Sequence, residues 1–483
     1  MTLHTIARSI LHSCLCLLLS AVAASADAAP RSLGWRTDGT GRYAEANPPV
    51  AWDAKTNVVW QTKMPSWSNA SPVVLEDRIF VCSEPATLVC VDRENGEILW
   101  RRGNTYADLA ETEEEAAAIR EKVAEAEKRR KAFTVAQRTV KNLRKKLKKA
   151  PEDEQLKTQL HEAQEQHKAA KAELQEVADY ARPGTHGANG YSSATPYVHG
   201  DRVYVVFGNG VAACYDLAGA RQWARRVEDP PHGWGFCASP VVADDTLLLH
   251  INQLWGLDPA TGETRWKRKL AWSWATPQPV ELADGTTVVF TGKGHVVRVS
   301  DGTVATVRLE KLAYNSPMVQ DGRVYYVQHV SKAYALPAAF AADMEMPALW
   351  TSKIAKDRYY ATPLVHDGLL YAVNQKGHLS ILNAETGEKL HELDLDIPRA
   401  TVYPSPTLAG DFIFYSNERG HTVVMRPGAK AEVVGTNKLE HFRATPVFIG
   451  DRMYIRGRRH LWCIAAGEKG DAAGVTPDSS TAP

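Results

Sequence analysis

Aromatic and cationic side chains recur throughout this chain in the few residues that precede each Ser-Pro or Thr-Pro pair. Aromatic faces and guanidinium groups together suit planar or anionic ligands, and also protein segments that are rich in aromatic residues. The alternative is that these rings only fill the space between neighbouring repeats. The ten residues predicted to bind a ligand or partner are Trp67, Tyr191, Trp234, Trp272, Trp274, Arg358, Tyr359, Arg399, Tyr403 and Arg443.

The elements that must position these residues are repeats marked by the Ser/Thr-Pro pairs. From the second pair onward the spacings are 44, 37, 40, 46, 43 and 40 residues, and most pairs precede a polar turn and an apolar strand. A period near 40 with four strands per unit is typical of a β-propeller, in which the loops leading to the innermost strands meet at one mouth of a central channel. We therefore predict an all-β, eight-bladed propeller of four-stranded blades. The pairs begin at Ser71, Thr195, Ser239, Thr276, Ser316, Thr362, Ser405 and Thr445.

The last repeat lacks an outer strand of its own, because no tryptophan-bearing segment follows residues 461–464. Residues 57–63, which include Trp60, look like the end of a repeat. We predict that they supply the outer strand of the eighth blade, which would close the ring and remove an open seam. Residues 57–103 would then hold the closing strand and the first blade, and residues 183–468 the remaining blades.

Residues 104–182 fall inside the first gap between pairs, which is 124 residues long. Glycine, proline and β-branched residues almost disappear there, and apolar residues follow a heptad spacing on both sides of Pro151. This pattern predicts an antiparallel coiled-coil hairpin inserted between the first two blades. Its distal half is basic, so it is either a solvated spacer or an arm that docks on a partner protein or an anionic membrane surface. The predicted docking residues are Arg144, Lys145, Lys148 and Lys149.

The two ends of the chain differ in composition from the repeats. Residues 1–26 carry an apolar run and an Ala-Ser-Ala motif, which predict a cleaved secretory signal, and a lead-in follows over 27–56. Residues 469–483 are rich in small and polar residues and are predicted to be a disordered tail. The formal net charge of +1 over 483 residues argues against nucleic-acid binding. We predict an exported monomer of the periplasm or cell envelope, soluble after signal cleavage.

Five cysteines follow the signal, an odd and sparse set that does not predict a disulfide framework. Cys90, Cys214 and Cys463 fall at equivalent places in their repeats, which favours small, buried core residues. Cys82 and Cys90 flank one predicted hairpin, so a disulfide between them stays open in an oxidising compartment.

A Lys/Arg-Gly-His motif recurs at residues 293–295, 376–378 and 419–421. Each copy comes before the third strand of a repeat, where glycine supplies the positive φ of a tight turn. Because the three histidines belong to different blades, we predict exposed turns and no metal site.

Two turns carry the pattern D-x-x-x-G-[KE]-x-x-W, at residues 92–100 and 258–266, while residues 383–391 keep the turn and replace the tryptophan by histidine. The pattern resembles the tryptophan-docking motif of the pyrroloquinoline-quinone-like β-propeller superfamily. The lead-in resembles the exported bacterial branch of that superfamily, through Trp35-Arg36 and Asp38-Gly-Thr-Gly41 followed by Asn47-Pro-Pro and Val58-Val-Trp. The resemblance covers residues 31–103 and 183–468. It implies the propeller fold, but this superfamily includes both quinoprotein dehydrogenases and non-enzymatic scaffolds, such as the propeller lipoprotein of the outer-membrane β-barrel assembly machinery.

The dehydrogenases of this superfamily carry a vicinal cysteine pair over the quinone, a Ca²⁺ site and a catalytic aspartate. After its signal this chain has no adjacent cysteines, and no run of acidic residues has calcium-loop spacing. We therefore predict a non-enzymatic binding or scaffolding protein of the cell envelope, with no cofactor, whose partners are envelope proteins or peptide segments. The competing prediction is a pyrroloquinoline-quinone-dependent oxidoreductase with Ca²⁺, whose site would be assembled from several blades.

Overall fold

The computed structural model describes residues 33–467. The predicted signal over 1–26, the first part of the lead-in and the predicted tail over 469–483 lie outside these residues. The described chain forms 32 strands in eight sheets, together with two α-helices. The first elements are β1 (Arg42–Tyr43), β2 (Val58–Lys63), β3 (Val73–Leu75), β4 (Arg78–Ser83), β5 (Thr87–Asp92), β6 (Ile98–Gly103), α1 (Glu113–Leu147) and α2 (Glu154–Glu176).

The remaining strands follow the helices in groups of three or four. The next three sheets contain β7 (Tyr197–His199), β8 (Arg202–Val206), β9 (Val211–Asp216), β10 (Arg221–Arg226), β11 (Val241–Ala243), β12 (Thr246–His250), β13 (Leu254–Leu257), β14 (Thr264–Arg268), β15 (Gln278–Glu281), β16 (Thr287–Phe290) and β17 (Val296–Arg298). The last four contain β18 (Met318–Gln320), β19 (Arg323–Tyr326), β20 (Val330–Ala335), β21 (Ala348–Lys353), β22 (Leu364–His366), β23 (Leu369–Val373), β24 (His378–Asn383), β25 (Lys389–Asp394), β26 (Thr407–Ala409), β27 (Phe412–Ser416), β28 (His421–Arg426), β29 (Glu432–Lys438), β30 (Val447–Ile449), β31 (Arg452–Arg456) and β32 (His460–Ile464).

Each sheet is an antiparallel meander of consecutive strands, with two additions and one omission. Strand β1 adds to β26 in parallel, so the seventh sheet has five strands. Strand β2 pairs antiparallel with β32, so the last sheet takes its outer strand from the N-terminal side of the propeller. The fourth sheet has three strands, β15–β17. The predicted propeller with an inserted helical hairpin is confirmed, and the eight sheets are consistent with eight blades.

The eight residues that open the Ser/Thr-Pro pairs form a closed ring of hydrogen bonds around the channel. The backbone N–H of Ser71 donates to the hydroxyl of Thr195, and the N–H of Thr195 donates to the hydroxyl of Ser239. The pattern continues blade by blade until the N–H of Thr445 donates back to the hydroxyl of Ser71, with all eight distances between 2.9 and 3.1 Å. The hydroxyl is therefore needed because it pairs a buried backbone N–H that would otherwise be unsatisfied.

Five of the eight junctions between neighbouring blades are fixed by a tryptophan on an outer strand. Each indole N–H donates to a backbone carbonyl of the following blade at 2.8–3.2 Å. Each ring also lies on a turn glycine of that blade, whose φ is 70–85° and where an added Cβ would come within 2.6–2.8 Å of the ring. The turn glycine of one blade therefore packs against the tryptophan ring of the preceding blade. The pairs are Trp60 with Gly96, Trp100 with Gly219, Trp223 with Gly262, Trp266 with Gly302, and Trp350 with Gly387.

The helical hairpin is capped at both helix starts and anchored at its base. The side chains of Thr112 and Asp153 accept backbone N–H groups at the starts of α1 and α2. Near the base, the Tyr106 hydroxyl donates to the Asn209 carbonyl at 2.9 Å, and Arg226 donates to the Asp179 carbonyl at 2.6 Å. The segments flanking α1 and α2 therefore pack on the second blade. In residues 33–467, no helix has both the length and the apolar composition that crossing a bilayer requires.

None of the five cysteines in the described residues forms a disulfide, and four of them are buried. Cys82 lies opposite Leu88 and Cys90 lies opposite Phe80 in the β4–β5 pair. The two thiols therefore do not lie directly opposite each other, and this structure contains no disulfide between them.

Candidate functional site

An axial cavity of about 760 Å³ lies inside the ring. All eight residues of the Ser/Thr ring line it, so the wall at this level consists of side-chain hydroxyls. Each hydroxyl oxygen accepts one backbone N–H and keeps its own proton, because a hydroxyl is both donor and acceptor. The sequence showed that these residues recur, but it did not identify them as cavity-lining groups.

The N-terminal segment 33–43 forms the floor of this cavity. The Leu33 carbonyl accepts the N–H of Val198 at 2.7 Å, and the Gly41 carbonyl accepts the N–H of Leu408 at 2.9 Å. Both donors lie three residues beyond the Ser/Thr ring, on the side away from the mouth. Trp35 lines the cavity from this segment. Trp35 is not among the binding residues predicted from the sequence, because nothing local in the sequence places the lead-in under the ring.

Five aromatic rings form an arc along one side of the mouth, in the loops that precede the fourth to seventh Ser/Thr-Pro pairs. Trp272 and Trp274 meet edge to face with centroids 4.8 Å apart, and Trp274 stacks on Tyr314 at 5.7 Å. Tyr314 contacts Tyr360 at 4.8 Å, and Tyr360 stacks on Tyr403 at 4.9 Å. We call these five residues the aromatic arc. It offers a continuous set of ring faces and edges.

The other side of the mouth is crossed by residues 183–190, which follow the helical hairpin and which we call the strap. The Ala188 carbonyl accepts hydrogen bonds from Asn69, at 2.9 Å, and from Arg443. The strap is thereby tied to the loops that precede the first and last Ser/Thr-Pro pairs. Three strap residues, His186, Ala188 and Asn189, line the cavity.

Trp234 stands at the edge of the mouth beside the strap. Asn189 donates to the Trp234 carbonyl at 3.1 Å, and His186 stacks on the Trp234 ring with centroids 4.6 Å apart. The Trp234 side chain nevertheless stays 59% exposed. The opening is thus a crescent bounded by the aromatic arc on one side and by the strap with Trp234 on the other.

The charged groups that line the cavity are cationic. Lys293 lies over the Trp272 ring at 5.5 Å and donates to a backbone carbonyl, and burial lowers the pKa of its ammonium. Arg358 is exposed and donates to the Tyr360 hydroxyl at 3.2 Å, a bond that raises the pKa of Arg358. The lining residues in the described chain include no aspartate or glutamate. The cavity therefore favours anionic ligands.

Arg443 differs from these two cations because it already has an anionic partner. Its guanidinium donates to the Glu418 carboxylate at 2.8 and 3.0 Å and lies over the Tyr403 ring at 4.8 Å. Together with its bond to the strap, this arrangement satisfies the side chain. Arg443 shapes the mouth, whereas Lys293 and Arg358 have no carboxylate partner among residues 33–467.

The structure places the ten predicted binding residues in two groups. Five line the cavity, namely Trp234, Trp274, Arg358, Tyr403 and Arg443. The other five do not, although Trp272 belongs to the aromatic arc and Trp67 lies beneath the guanidinium of Arg458 at 5.3 Å.

The remaining three predicted residues are turned away from the cavity or lie outside it. Tyr191 is buried and its hydroxyl donates to the Pro183 carbonyl, at the base of the strap. Tyr359 is buried in the core between two blades, and its hydroxyl donates to the Ala355 carbonyl. Arg399 is exposed on a loop that does not line the cavity.

Lys293 lines the cavity, although the sequence predicts an exposed turn at this motif. Gly294 adopts a φ of 75° and its Cα approaches the Leu309 carbonyl so closely that a Cβ would lie 2.4 Å from the oxygen. The turn therefore packs on the following loop, and His295 is buried. The prediction of exposed turns is wrong for this copy, because the loop around Leu309 covers it.

The residues of the cavity do not fit the quinone-with-calcium alternative. Ca²⁺ prefers carboxylate and carbonyl oxygens, and the cavity lining has no carboxylate. Residues 33–467 contain no group of three or more His, Cys, Asp or Glu side chains that could hold a metal ion. Cys237 lines the cavity without a second cysteine, and burial raises the pKa of its thiol to about 12.

Comparison with known proteins gives both a family and a fold. Residues 43–151, 185–278 and 252–470 match the PQQ_2 family model, described as outer membrane protein assembly factor BamB. BamB from Moraxella catarrhalis is 12% identical with a TM-score of 0.52, and the match covers 84% of this chain and 99% of that one. The quinohemoprotein alcohol dehydrogenase from Comamonas testosteroni is 12% identical with a TM-score of 0.53, and the match covers 93% of this chain and 82% of that one.

No curated protein sequence matches this chain. The predicted resemblance to propellers with pyrroloquinoline-quinone-like repeats is confirmed by the family model and by both solved structures. Because the model matches well over half of the sequence, this chain belongs to the family described as outer membrane protein assembly factor BamB.

Proposed function

We propose that this protein is a non-enzymatic binding protein of the cell envelope that holds a segment of another protein in its crescent-shaped mouth. The observation that carries the proposal is the aromatic arc next to two cations that lack carboxylate partners, Lys293 and Arg358. Ring faces bind aromatic side chains, and guanidinium and ammonium groups bind carboxylates. The favoured ligand is therefore a segment that carries both aromatic and acidic side chains.

Membership of a family described as an assembly factor supports a binding or scaffolding role and protein partners. The competing function is that of an oxidoreductase, because a solved dehydrogenase has a similar fold. The missing carboxylates in the cavity lining argue against it, because a Ca²⁺ ion there would have no charged ligand. An absorption spectrum of the purified protein, recorded with and without added quinone and Ca²⁺, separates the two. A quinone band that survives gel filtration would favour the enzyme.

The binding proposal is tested by fluorescence titration, since three tryptophans lie at the mouth. Three synthetic peptides are compared: one with phenylalanine and glutamate, one with phenylalanine and lysine, and one with serine and glutamate. We expect only the first to change the tryptophan emission at micromolar concentration. Equal responses to all three peptides, or none, would contradict the proposal.

Substitutions then locate the site. Arg358→Ala combined with Tyr360→Ala should weaken binding of the first peptide at least tenfold, because it removes one cation and one ring of the arc. The matched control is Arg399→Ala, which removes an exposed arginine of a nearby loop that does not line the cavity. We expect the control to bind like the wild type, and neither variant to lower the melting temperature by more than a degree or two.

We propose in addition that the helical hairpin docks on an anionic lipid surface. Seven lysines and arginines lie between residues 138 and 149, all are exposed, and no ion pair engages them within residues 33–467. At 100° per residue, most of them fall on the side of α1 opposite the seam residues Ala136, Val140, Leu143 and Leu147. Cations spread over a whole outward face suit a diffuse anionic surface.

Sedimentation with vesicles that contain about a third anionic lipid tests the arm. Each basic residue near such a surface contributes about 1 kcal/mol, so reversing Arg144, Lys145, Lys148 and Lys149 to glutamate should reduce binding at least a hundredfold. Salt should weaken wild-type binding. Replacing only residues 113–176 by a Gly/Ser linker keeps the anchored base and should give the same loss. Unchanged sedimentation of either variant would contradict docking and indicate that the hairpin is a spacer.

A further inference from the structure

The Trp35-Arg36 and Asp38-Gly-Thr-Gly41 motif of the lead-in folds into a tight turn inside the channel. The N–H groups of Gly39 and Gly41 both donate to the Arg36 carbonyl at 3.1 Å. Gly41 has a φ of 76°, and an added Cβ would lie 2.6 Å from the Arg36 Nε and Nη2 atoms. The glycine is therefore required because the arginine side chain folds back over its own turn.

This turn buries the Arg36 guanidinium without giving it a counter-charge. The side chain has no exposed surface, and Nη2 donates to the Pro406 carbonyl at 3.1 Å. Its Nε and Nη1 atoms have no hydrogen-bond partner among residues 33–467. The nearby carboxylate of Asp38 is exposed and accepts from Thr40 instead, at 2.6 and 2.9 Å. Such an arrangement is unusual, because buried charges are normally paired.

Two further hydroxyls in this region are also buried and unpaired. Thr407 follows Pro406 in the chain, and its Oγ1 atom has no partner in the described residues. Tyr43 lies on β1, which pairs with β26 beside Thr407, and its hydroxyl likewise has none. All of these groups can donate hydrogen bonds, and the arginine adds one positive charge. Unsatisfied buried groups of this kind point to a water or ion bound among them.

We propose that the channel holds a small monovalent anion of the chloride type beside the Arg36 guanidinium, at the level of the N-terminal turn. The charge of one guanidinium calls for one negative charge. Arg36 has no exposed surface and does not line the large cavity, so an anion beside it would be separate from a ligand held in the mouth. A water molecule could accept the N–H groups, but it would leave the cation uncompensated. The anion would fix the floor of the cavity and hold the N-terminal segment across the ring.

Two other properties of the turn agree with a bound anion. Arg36 and Thr37 have φ angles of 55° and 57°, a left-handed conformation that two successive residues with side chains adopt only when their surroundings impose it. Burial lowers the pKa of Arg36 to about 10, as expected for a cation that is withdrawn from water. A bound anion would raise this pKa again, because it stabilises the charged guanidinium.

Bromide replaces chloride chemically and can be located by its anomalous X-ray scattering. Crystals of the full chain grown in sodium bromide should show an anomalous peak within about 3.5 Å of Arg36 Nε or Nη1. A peak there supports the site. Ordinary water density, or no density, at these atoms would overturn it.

Thermal unfolding provides the second measurement, because a ligand that binds only the folded protein raises its stability. At constant ionic strength, replacing gluconate by chloride should raise the melting temperature of the wild type, by up to about 1.5 °C per tenfold increase in chloride for one site on a chain of this size. Arg36→Gln should abolish the difference. Arg456→Gln should keep it, because Arg456 is equally buried but its two terminal nitrogens donate to the carbonyls of Gly457 and Ser66. If Arg36→Gln does not fold, the bromide experiment on the wild type decides. A wild type indifferent to chloride would contradict the proposal.

Discussion

The tryptophans on the outer strands, which we call the rim tryptophans, are buried, whereas Trp234 at the mouth is exposed. Both kinds occur within the same repeats. At the rim, Trp266 is 7% exposed, its Nε1 atom donates to the Val299 carbonyl at 2.8 Å, and its ring lies on Gly302. At the mouth, Trp234 is 59% exposed and stacks on His186. A buried ring with a satisfied N–H fixes one blade against the next, whereas an exposed ring is left for a partner.

The difference shows that position within the blade, and not residue type, decides what a tryptophan does in this fold. The rim position demands one side chain and one facing glycine, so it leaves a motif in the sequence. The mouth accepts tryptophan, tyrosine or arginine at corresponding places, so it leaves only a bias in composition. We expect rim substitutions to change stability and mouth substitutions to change binding.

The largest expected effect is at the rim. Trp266→Ala removes a buried ring and a hydrogen bond between blades, so it should lower the free energy of unfolding by about 3–5 kcal/mol. Trp234→Ala, the mouth counterpart, should change it by no more than about 0.5 kcal/mol. Urea unfolding followed by circular dichroism measures both. Similar losses for the two variants would remove the distinction between rim and mouth.

A smaller effect should come from the glycine that faces the rim tryptophan. Gly302 and Gly322 have nearly equal φ angles, 70° and 69°. A Cβ at Gly302 would lie 2.6 Å from the Trp266 ring, whereas a Cβ at Gly322 would meet nothing within 4 Å. Gly322→Ala should therefore cost about 1 kcal/mol for its backbone alone, and Gly302→Ala about 1–3 kcal/mol more. Equal costs in urea unfolding would show that the contact with the ring is unimportant.

The smallest effect is expected from two buried histidines, His250 and His295. They should leave the free energy of unfolding unchanged at neutral pH and lower it in acid. Burial lowers the pKa of His250 and of His295 from 6.5 to about 4. Because the unfolded chain then binds more protons, the free energy of unfolding should fall as pH drops from about 6.5 towards 4, and should be unaffected above that range. Urea midpoints at pH 7.5 and pH 4.5 measure the loss.

Substitution of these histidines checks the assignment. His250→Leu with His295→Gln should flatten the acid-side fall in stability, whereas the exposed His199→Gln should leave it unchanged. An unaltered pH dependence in the double variant would place the responsible groups elsewhere.

Much of the architecture was predictable because it depends on local, repeated patterns. The Ser/Thr-Pro recurrence located every inner strand, since each blade must present a hydroxyl to its neighbour. The heptad spacing located α1 and α2, because the helices bury a seam against each other. Trp60 pointed to residues 57–63 as an outer strand, and β2 does pair with β32. The aromatic and cationic composition of the mouth loops was likewise visible in the sequence.

What the sequence by itself could not determine is which of these side chains face the cavity. Lys293 and Lys376 occupy the same motif, yet Lys293 lines the cavity while Lys376 is largely exposed and pairs with Asp357 at 2.9 Å. Tyr359 and Tyr360 are neighbours, and only Tyr360 lines the cavity. Trp35 and the strap reach the channel from segments that are distant in the sequence. Tertiary structure decides these outcomes, because a side chain's burial depends on which remote loop or neighbouring blade packs against it, and no local pattern encodes that contact.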